Sequence, residues 1–265
     1  MLIAHLSDPH VRPDGVLYQG VTDSNAQFAA AVAHVMALDP RPDLLLLSGD
    51  LVDHGQADEY AMLNRLLAPL DVPVLAIPGN HDDRETFRQA FAGQTWLPPQ
   101  GPIDYSVGDR GPVRIVALDV TLPGHHHGVV SEDGAAWLDR VLGAEPTRPT
   151  IVMMHQPPFD TGIPYMDLYS CREARRLSAV LARHPQVERL LCGHVHRVMQ
   201  LRFGGTMSCT APSTTTTIAL RLQPDATSAS YIEPPAMLLH HWRAGTGLVT
   251  HVVPIGTFPG PFPFA

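Results

Sequence analysis

Cysteine is scarce in this sequence of 265 residues, which has three: Cys171, Cys192 and Cys209. None forms a Cys-x-x-Cys pair, so a disulfide framework is not expected and the thiols fit a reducing compartment. Long apolar runs are missing as well. Nothing approaches the roughly 20 apolar residues of a membrane-spanning helix, and the N-terminus has no cationic start followed by an apolar stretch and a small-residue cleavage site. The expectation is a cytoplasmic protein with no membrane partner. Cations are also few, 18 Lys and Arg against 26 Asp and Glu, for a net charge of −8. A broad polyphosphate-binding surface needs clustered cations, so long nucleic acid is not expected as a partner.

What is present points to a folded, chemically equipped domain. Hydrophobic residues make up 45% of the chain, enough for a substantial core, and the 26 Pro and 21 Gly are scattered as turn punctuation. Histidine is abundant, with 15 residues, and imidazole is both the commonest metal ligand and a group that titrates near neutrality. Short apolar runs alternate with helical periodicity. Strands are expected at Leu2 to Leu6, Leu44 to Leu47 and Val74 to Ile77, with helices from Asp23 to Leu38 and from about Ala57 to Leu70 between them. This β-α-β-α-β order implies a largely parallel sheet covered by helices. Further strands are expected at Val113 to Leu118, Ile151 to Met154 and Arg189 to Cys192, with helices near Ala135 to Leu142 and Cys171 to His184. Ser170 and Glu173 are spaced as a capping box for the second of these helices. From about Val198 onward, Val198 to Phe203, Thr206 to Thr210, Met237 to Trp242 and Leu248 to Pro254 read as strands that close a second sheet.

Donor residues lie directly after these strands. Asp8-Pro9-His10 follows the first, Gly49-Asp50 the second and Gly79-Asn80-His81-Asp82 the third; His155 follows Met154, and Gly193-His194-Val195-His196 follows Cys192. In an open α/β sheet, ligands bind outside the carboxyl ends of the strands, so all these blocks are expected to meet at one edge. Asp, Asn and His without thiolate suit Mn, Fe, Co or Zn, and the donors outnumber the needs of one tetrahedral ion. Two divalent ions are implied, with a carboxylate bridging them. Glycines beside Asp50, Asn80 and His194 would permit close backbone approach.

In this order, Asp-x-His, Gly-Asp, Gly-Asn-His-Asp, a lone His and Gly-His-x-His resemble the calcineurin-like metallophosphoesterases over about residues 1 to 200. Asp8-Pro9-His10, the 79 to 83 run and His155-Gln156-Pro157-Pro158 are most similar to bacterial class III cyclic nucleotide phosphodiesterases and glycerophosphodiesterases. The resemblance implies an α/β fold, a metallophosphoesterase-type α/β/β/α sandwich. Its dinuclear core would span residues 1–200, and a β-rich segment, 201–265, would complete the second sheet and form a cap or dimer contact. It implies one metal on Asp8, His10, Asp50 and His196 and the other on Asp50, Asn80, His155 and His194, with Asp50 bridging. His81 would stand beside the metals as a catalytic partner that binds phosphoryl oxygen or protonates the leaving group. The implied reaction is hydrolysis of a small phosphodiester by metal-bound hydroxide attacking phosphorus.

Other residues are assigned more modestly. His5, His34, His184, His240, His241 and His251 read as packing or surface residues, and Cys192 as core. The His125-His126-His127 run is either an exposed loop or a flank of the site entrance. Tyr18, Asp23 and Asn25 could reach a leaving group, although a helix cap is the simpler role for Asp23. Phosphoprotein phosphatases of this superfamily carry Arg after the Asp of Gly-Asp-x-x-Asp-Arg-Gly, whereas here the stretch ends Asp53-His54-Gly55, which favours a diester over a monoester dianion. Glycerophosphodiesterases often carry a His where this chain has Thr214 to Thr217, which leaves cyclic nucleotides, glycerophosphodiesters or a broader range open. The alternatives are a phosphomonoesterase or a non-catalytic scaffold of the same fold. A β-rich C-terminal segment with exposed strands is a ready subunit contact, so a homodimer or higher homo-oligomer is expected.

Overall fold

A computed structural model describes residues 1–263. In chain order the elements are β1 (Leu2–Leu6), α1 (Ser24–Ala37), β2 (Leu44–Leu47), α2 (Ala57–Leu67), β3 (Val74–Ala76), α3 (Arg84–Ala90), β4 (Tyr105–Val107), β5 (Arg114–Ala117), α4 (Glu132–Ala144), β6 (Thr150–Met153), α5 (Pro164–Asp167), α6 (Ala174–Leu181) and β7 (Val187–Cys192). They continue with β8 (Met199–Phe203), β9 (Thr206–Thr210), β10 (Thr217–Ile218), β11 (Ser230–Tyr231), β12 (Ala236–Arg243) and β13 (Gly247–Pro254). A five-stranded sheet runs β13-β12-β1-β2-β3 and a six-stranded sheet runs β4-β5-β6-β7-β9-β8.

The strands closest to the site are buried on both faces, which is why β2 is an unbroken Leu44-Leu45-Leu46-Leu47 run. In β5, period-two alternation divides the side chains between two cores. Ile115 and Ala117 join the cluster that holds Ile3, Leu44 and Leu46, residues on one face of the first sheet, while Val116 packs with Leu138 and Leu177 of α4 and α6. Helices therefore cover the outside of two stacked sheets, an α/β/β/α sandwich. Strands β1, β2 and β3 are parallel neighbours, as are β5, β6 and β7, so both sheets bring carboxyl strand ends to one edge.

The C-terminal strands divide differently from the expected closure of a second sheet. β8 and β9 do extend the second sheet, but β12 and β13 extend the first, with β12 antiparallel to β1 in the register Leu2↔His241 and Ile3↔His240. That choice depends on which exposed strand edge lies nearby, and the alternation within β12 cannot encode it. The capping box at Ser170 does not form. Glu173 sits at φ +58° without a side-chain cap, Ser170 Oγ donates to the Asp167 carbonyl at 3.2 Å, and the helix covers only Ala174–Leu181. α3 was not anticipated; it is a short helix with one buried side chain, Phe87, held at its start by Asp83 accepting from the Glu85 and Thr86 amides. No helix among the described residues is long and apolar enough to cross a membrane.

Candidate metal centre

The turns that follow β1, β2 and β7 are bent by unusual backbone. Asp8, His10, Asp50, His194 and His196 all have positive φ, between 43° and 71°, and Gln19 and Glu173 are the only other non-glycine residues with positive φ among those described. Left-handed backbone is disfavoured for residues with a Cβ, and its concentration here marks turns held in place by their surroundings. Glycine packs against the same groups. A Cβ on Gly49 would overlap the His155 ring, one on Gly79 would overlap the Asp50 carboxylate, and one on Gly193 would overlap Ser7 Oγ.

The bent turns bring donors together. Ligand atoms of Asp8, His10 and His196 lie within 4.8 Å of one another, as do those of Asp50, His155 and His194. Within the first group, His10 Nε2 is 3.1 Å from His196 Nε2, and His196 Nε2 is 3.4 Å from Asp8 Oδ1. Asp50 Oδ2 stands between the groups, 3.2 Å from His155 Nε2 and 3.8 Å from His10 Nε2. Backbone carbonyls set the tautomers. His155 Nδ1 donates to the Ser48 carbonyl at 2.7 Å and His196 Nδ1 to the Thr216 carbonyl at 2.8 Å, so in each neutral ring the Nε2 lone pair faces the carboxylates.

Lone pairs facing carboxylates are repulsive unless a positive charge lies between them. Nε2 of His155 and Nε2 of His194 are both buried without a hydrogen-bond partner, which is costly in a folded protein and fits a cation site. The titration behaviour expresses the same demand. Burial alone would lower His155, but Asp50 and Asp8 outweigh it and push the ring up to about 9. Burial would raise Asp50, but His155 and His81 hold it well below the ordinary carboxylate range. His194, with less compensation for its burial, is pushed down to about 3 and stays neutral, as a metal ligand must.

Asn80 and His81 line the mouth of this cluster in a cleft of about 530 Å³. The Asn80 amide nitrogen donates to His126 Nδ1 at 3.1 Å, and its oxygen accepts from Gln156 Nε2 at 3.4 Å. His126 thus lies at the cleft mouth; it and His125 are both exposed, His125 does not line the cleft, and His127 is buried. His81 meets His10 edge-on with ring centroids 4.8 Å apart, and its amide donates to Asp50 Oδ1 at 2.9 Å. Burial would lower His81, but Asp50 and Asp53 push it up to about 10; the charge of bound cations would act in the opposite direction.

Asp53 is a site residue that reasoning from sequence missed. Its carboxylate is 3.4 Å from His10 Nδ1 and 3.5 Å from His81 Nδ1, and it accepts from Arg12 at 2.9 Å. Its place shortly before the start of α2 at Ala57 is a poor guide to this role; the usable signal is its position in the Gly49 to Gly55 stretch. Arg12 also binds Glu59 at 2.8 Å, so one guanidinium nitrogen serves two carboxylates. Tyr18 stacks on His10 at 4.6 Å. Asp23 instead caps α1 and Asn25 bonds the Arg12 backbone. Cys192 is wholly buried in the helix-side core.

Comparison with known proteins identifies the family. The model of the calcineurin-like phosphoesterase family matches residues 1–198. A probable glycerophosphodiester phosphodiesterase of Arcobacter nitrofigilis is 35% identical over all of this chain and 97% of its own length. A 3',5'-cyclic adenosine monophosphate phosphodiesterase of Pseudomonas aeruginosa is 33% identical over 81% of this chain and 76% of its own. Among solved structures, a dimetal phosphatase from Danio rerio shares the fold, with a TM-score of 0.64 at 15% identity over 97% of this chain and 99% of its own. With a family match across its two-sheet core and full-length relatives above 30% identity, this chain belongs to the calcineurin-like phosphoesterases.

Proposed function

We propose that the protein hydrolyses small phosphodiesters at a two-ion centre, with Asp8, His10, Asp50 and His196 holding one ion and Asp50, Asn80, His155 and His194 the other. The observation that carries this reading is the pair of donor groups flanking Asp50, with Nε2 of His155 and His194 partnerless in a buried site. When bound, two divalent ions stabilise phosphoryl charge as Lewis acids and supply a nucleophile at neutral pH. The donor set is nitrogen and oxygen only, which suits Mn, Fe, Zn or Co.

The protein's own groups would do the rest. His81, whose Nδ1 donates to the Asp53 carbonyl at 2.8 Å, can donate from Nε2 to a phosphoryl oxygen or to the departing alkoxide when the ring is protonated. Tyr18, His126 and Tyr169 line the cleft with rings against which an organic substituent can pack. Arg12 lies in the same cleft, but Asp53 and Glu59 already balance its charge, which disfavours a doubly charged monoester and favours a singly charged diester. The names of the relatives above support cyclic nucleotides and glycerophosphodiesters as the substrate range. Side-by-side hydrolysis of bis(p-nitrophenyl) phosphate and p-nitrophenyl phosphate tests the choice: faster diester cleavage is expected, and a preference for the monoester would favour the phosphomonoesterase reading.

The assembly and compartment follow from other features. Leu220, Leu222, Tyr231 and Ile232, on and beside the β10–β11 ribbon, are each more than half exposed. Such a patch suits a contact between copies within residues 201–265. A homodimer or higher homo-oligomer is expected by light scattering, and a strict monomer would refute it. Three buried free thiols support a reducing compartment, the cytoplasm.

A further inference from the structure

A line of buried side chains leaves the metal centre away from the cleft. Ser7 Oγ donates to Asp8 Oδ2 at 2.5 Å and Ser48 Oγ donates to Ser7 Oγ at 2.7 Å. His5 Nε2 lies 2.7 Å from Ser48 Oγ, His240 Nε2 lies 3.3 Å from His5 Nδ1, and Thr250 Oγ1 lies 2.9 Å from His240 Nδ1. His5, Ser7, Asp8, Ser48 and His240 are all fully buried, at 0% exposure. Strand register makes the line possible. His5 in β1 and Ser7 just beyond it share one face of the extended chain, and His240 pairs directly with Thr250 across β12 and β13.

Hydrogen-bond valence gives the line one direction. An ionised Asp8 only accepts, so Ser7 must donate to it and Ser48 must donate to Ser7. Ser48 oxygen then accepts, which places the proton of His5 on Nε2 and leaves Nδ1 as an acceptor. His240 donates to that Nδ1 through its own Nε2–H, and its Nδ1 accepts from the Thr250 hydroxyl. Neutral rings are required, and burial supplies them: it pushes His5 down to about 3 and His240 well below its ordinary value. Every donor points toward Asp8, and aligned hydrogen bonds in a low-dielectric interior polarise one another. Gly193 is part of the arrangement, since a Cβ there would displace Ser7 Oγ.

We propose that His5 and His240, acting through Ser48 and Ser7, are positioning residues for Asp8: their one-way donor chain ends on Oδ2 and, together with the His194 amide that donates to both carboxylate oxygens at 3.0 Å, orients the carboxylate for its role as a ligand. This rests on the reading of Asp8 as a metal ligand. Neither histidine touches substrate or metal. Groups of this kind behind a metal ligand typically contribute about 10–100-fold in metal affinity.

Two measurements test it. In zinc-loaded wild-type protein, long-range nitrogen–proton NMR of the imidazoles is expected to find His5 and His240 both as neutral Nε2–H tautomers. An Nδ1–H tautomer or a cationic ring at His5 would overturn the proposal, whatever the behaviour of variants. In Mn(II) titrations followed by electron paramagnetic resonance, His240→Leu is expected to weaken occupancy of one ion about tenfold. His240→Gln, which keeps a donor toward His5 and an acceptor toward Thr250, is expected to restore most of it. Undiminished affinity in folded His240→Leu would overturn the positioning role alone. Failure of the wild type to bind Mn(II) would overturn the two-ion reading and this role with it.

Discussion

His81 separates binding from chemistry at the site. It contacts Asp53 and the edge of the His10 ring but belongs to neither proposed ligand set. His81→Ala is therefore expected to keep its metal content by elemental analysis while losing about 10²–10⁴-fold in turnover, the usual worth of a positioned acid or base. Unchanged turnover in the metal-loaded variant would remove His81 from the reaction. Asp104, outside both proposed ligand sets, carries a pH-dependent strain of its own. Burial, with the charge of Asp119 adding to it, pushes its carboxyl up to about 7. The folded state thus prefers the protonated acid, while the unfolded chain ionises near 3.8. The resulting penalty is absent at low pH, grows as pH rises above the unfolded value and is complete beyond pH 7. Asp104→Asn keeps an oxygen to accept from the Asp119 amide and cannot ionise, so its melting temperature is expected to exceed wild type at pH 8 and to converge with it at pH 4. A difference independent of pH would contradict this assignment.

Elements differ in how visibly the chain encodes them. α4 begins at Ser131, whose side chain accepts from the Gly134 amide at 3.0 Å, with Glu132 and Asp133 in its first turn. Ser131→Ala is expected to cost about 1 kcal/mol in denaturant unfolding; no change would mean that the helix start is held by packing alone. The strands that end in donors were legible because fully apolar runs such as Leu44 to Leu47 stop abruptly at Ser-Gly-Asp. Other features had no local signature. The positive φ at Asp8, His10 and Asp50 occurs in turns that bond to each other, the Asp8 amide donating to the Gly49 carbonyl and the His10 amide to the Asp50 carbonyl, and nothing in the residue types requires it. Asp53 and His126 draw their surroundings from His10, which follows β1, and from Asn80 and His81, which follow β3. His5 and His240 read as packing residues because their hydrogen-bonded partners lie 43 and 235 residues away in the chain. α3 was missed because a seven-residue helix with one buried side chain has too little periodicity to detect.

At the scale of the molecule, the donor set spans both sheets. Asp8 and Asp50 follow strands of the first, whereas His155 and His194 follow β6 and β7 of the second. Ions bound between them would join the halves of the sandwich, and unfolding would have to release them. Binding to the folded state alone stabilises by about 2.7 kcal/mol at a free ligand concentration 100 times Kd. The melting temperature is accordingly expected to rise with Mn(II) and to fall on chelation, and insensitivity to both would argue against a site that bridges the sheets.

The most direct test is a titration of metal-free protein with Mn(II) while following hydrolysis of bis(p-nitrophenyl) phosphate. Activity is expected to rise to a plateau at two equivalents per chain and to be absent in Asp50→Ala, which lacks the carboxylate standing between the two donor groups. A plateau at one equivalent, or diester cleavage that persists without metal, would contradict the two-ion account.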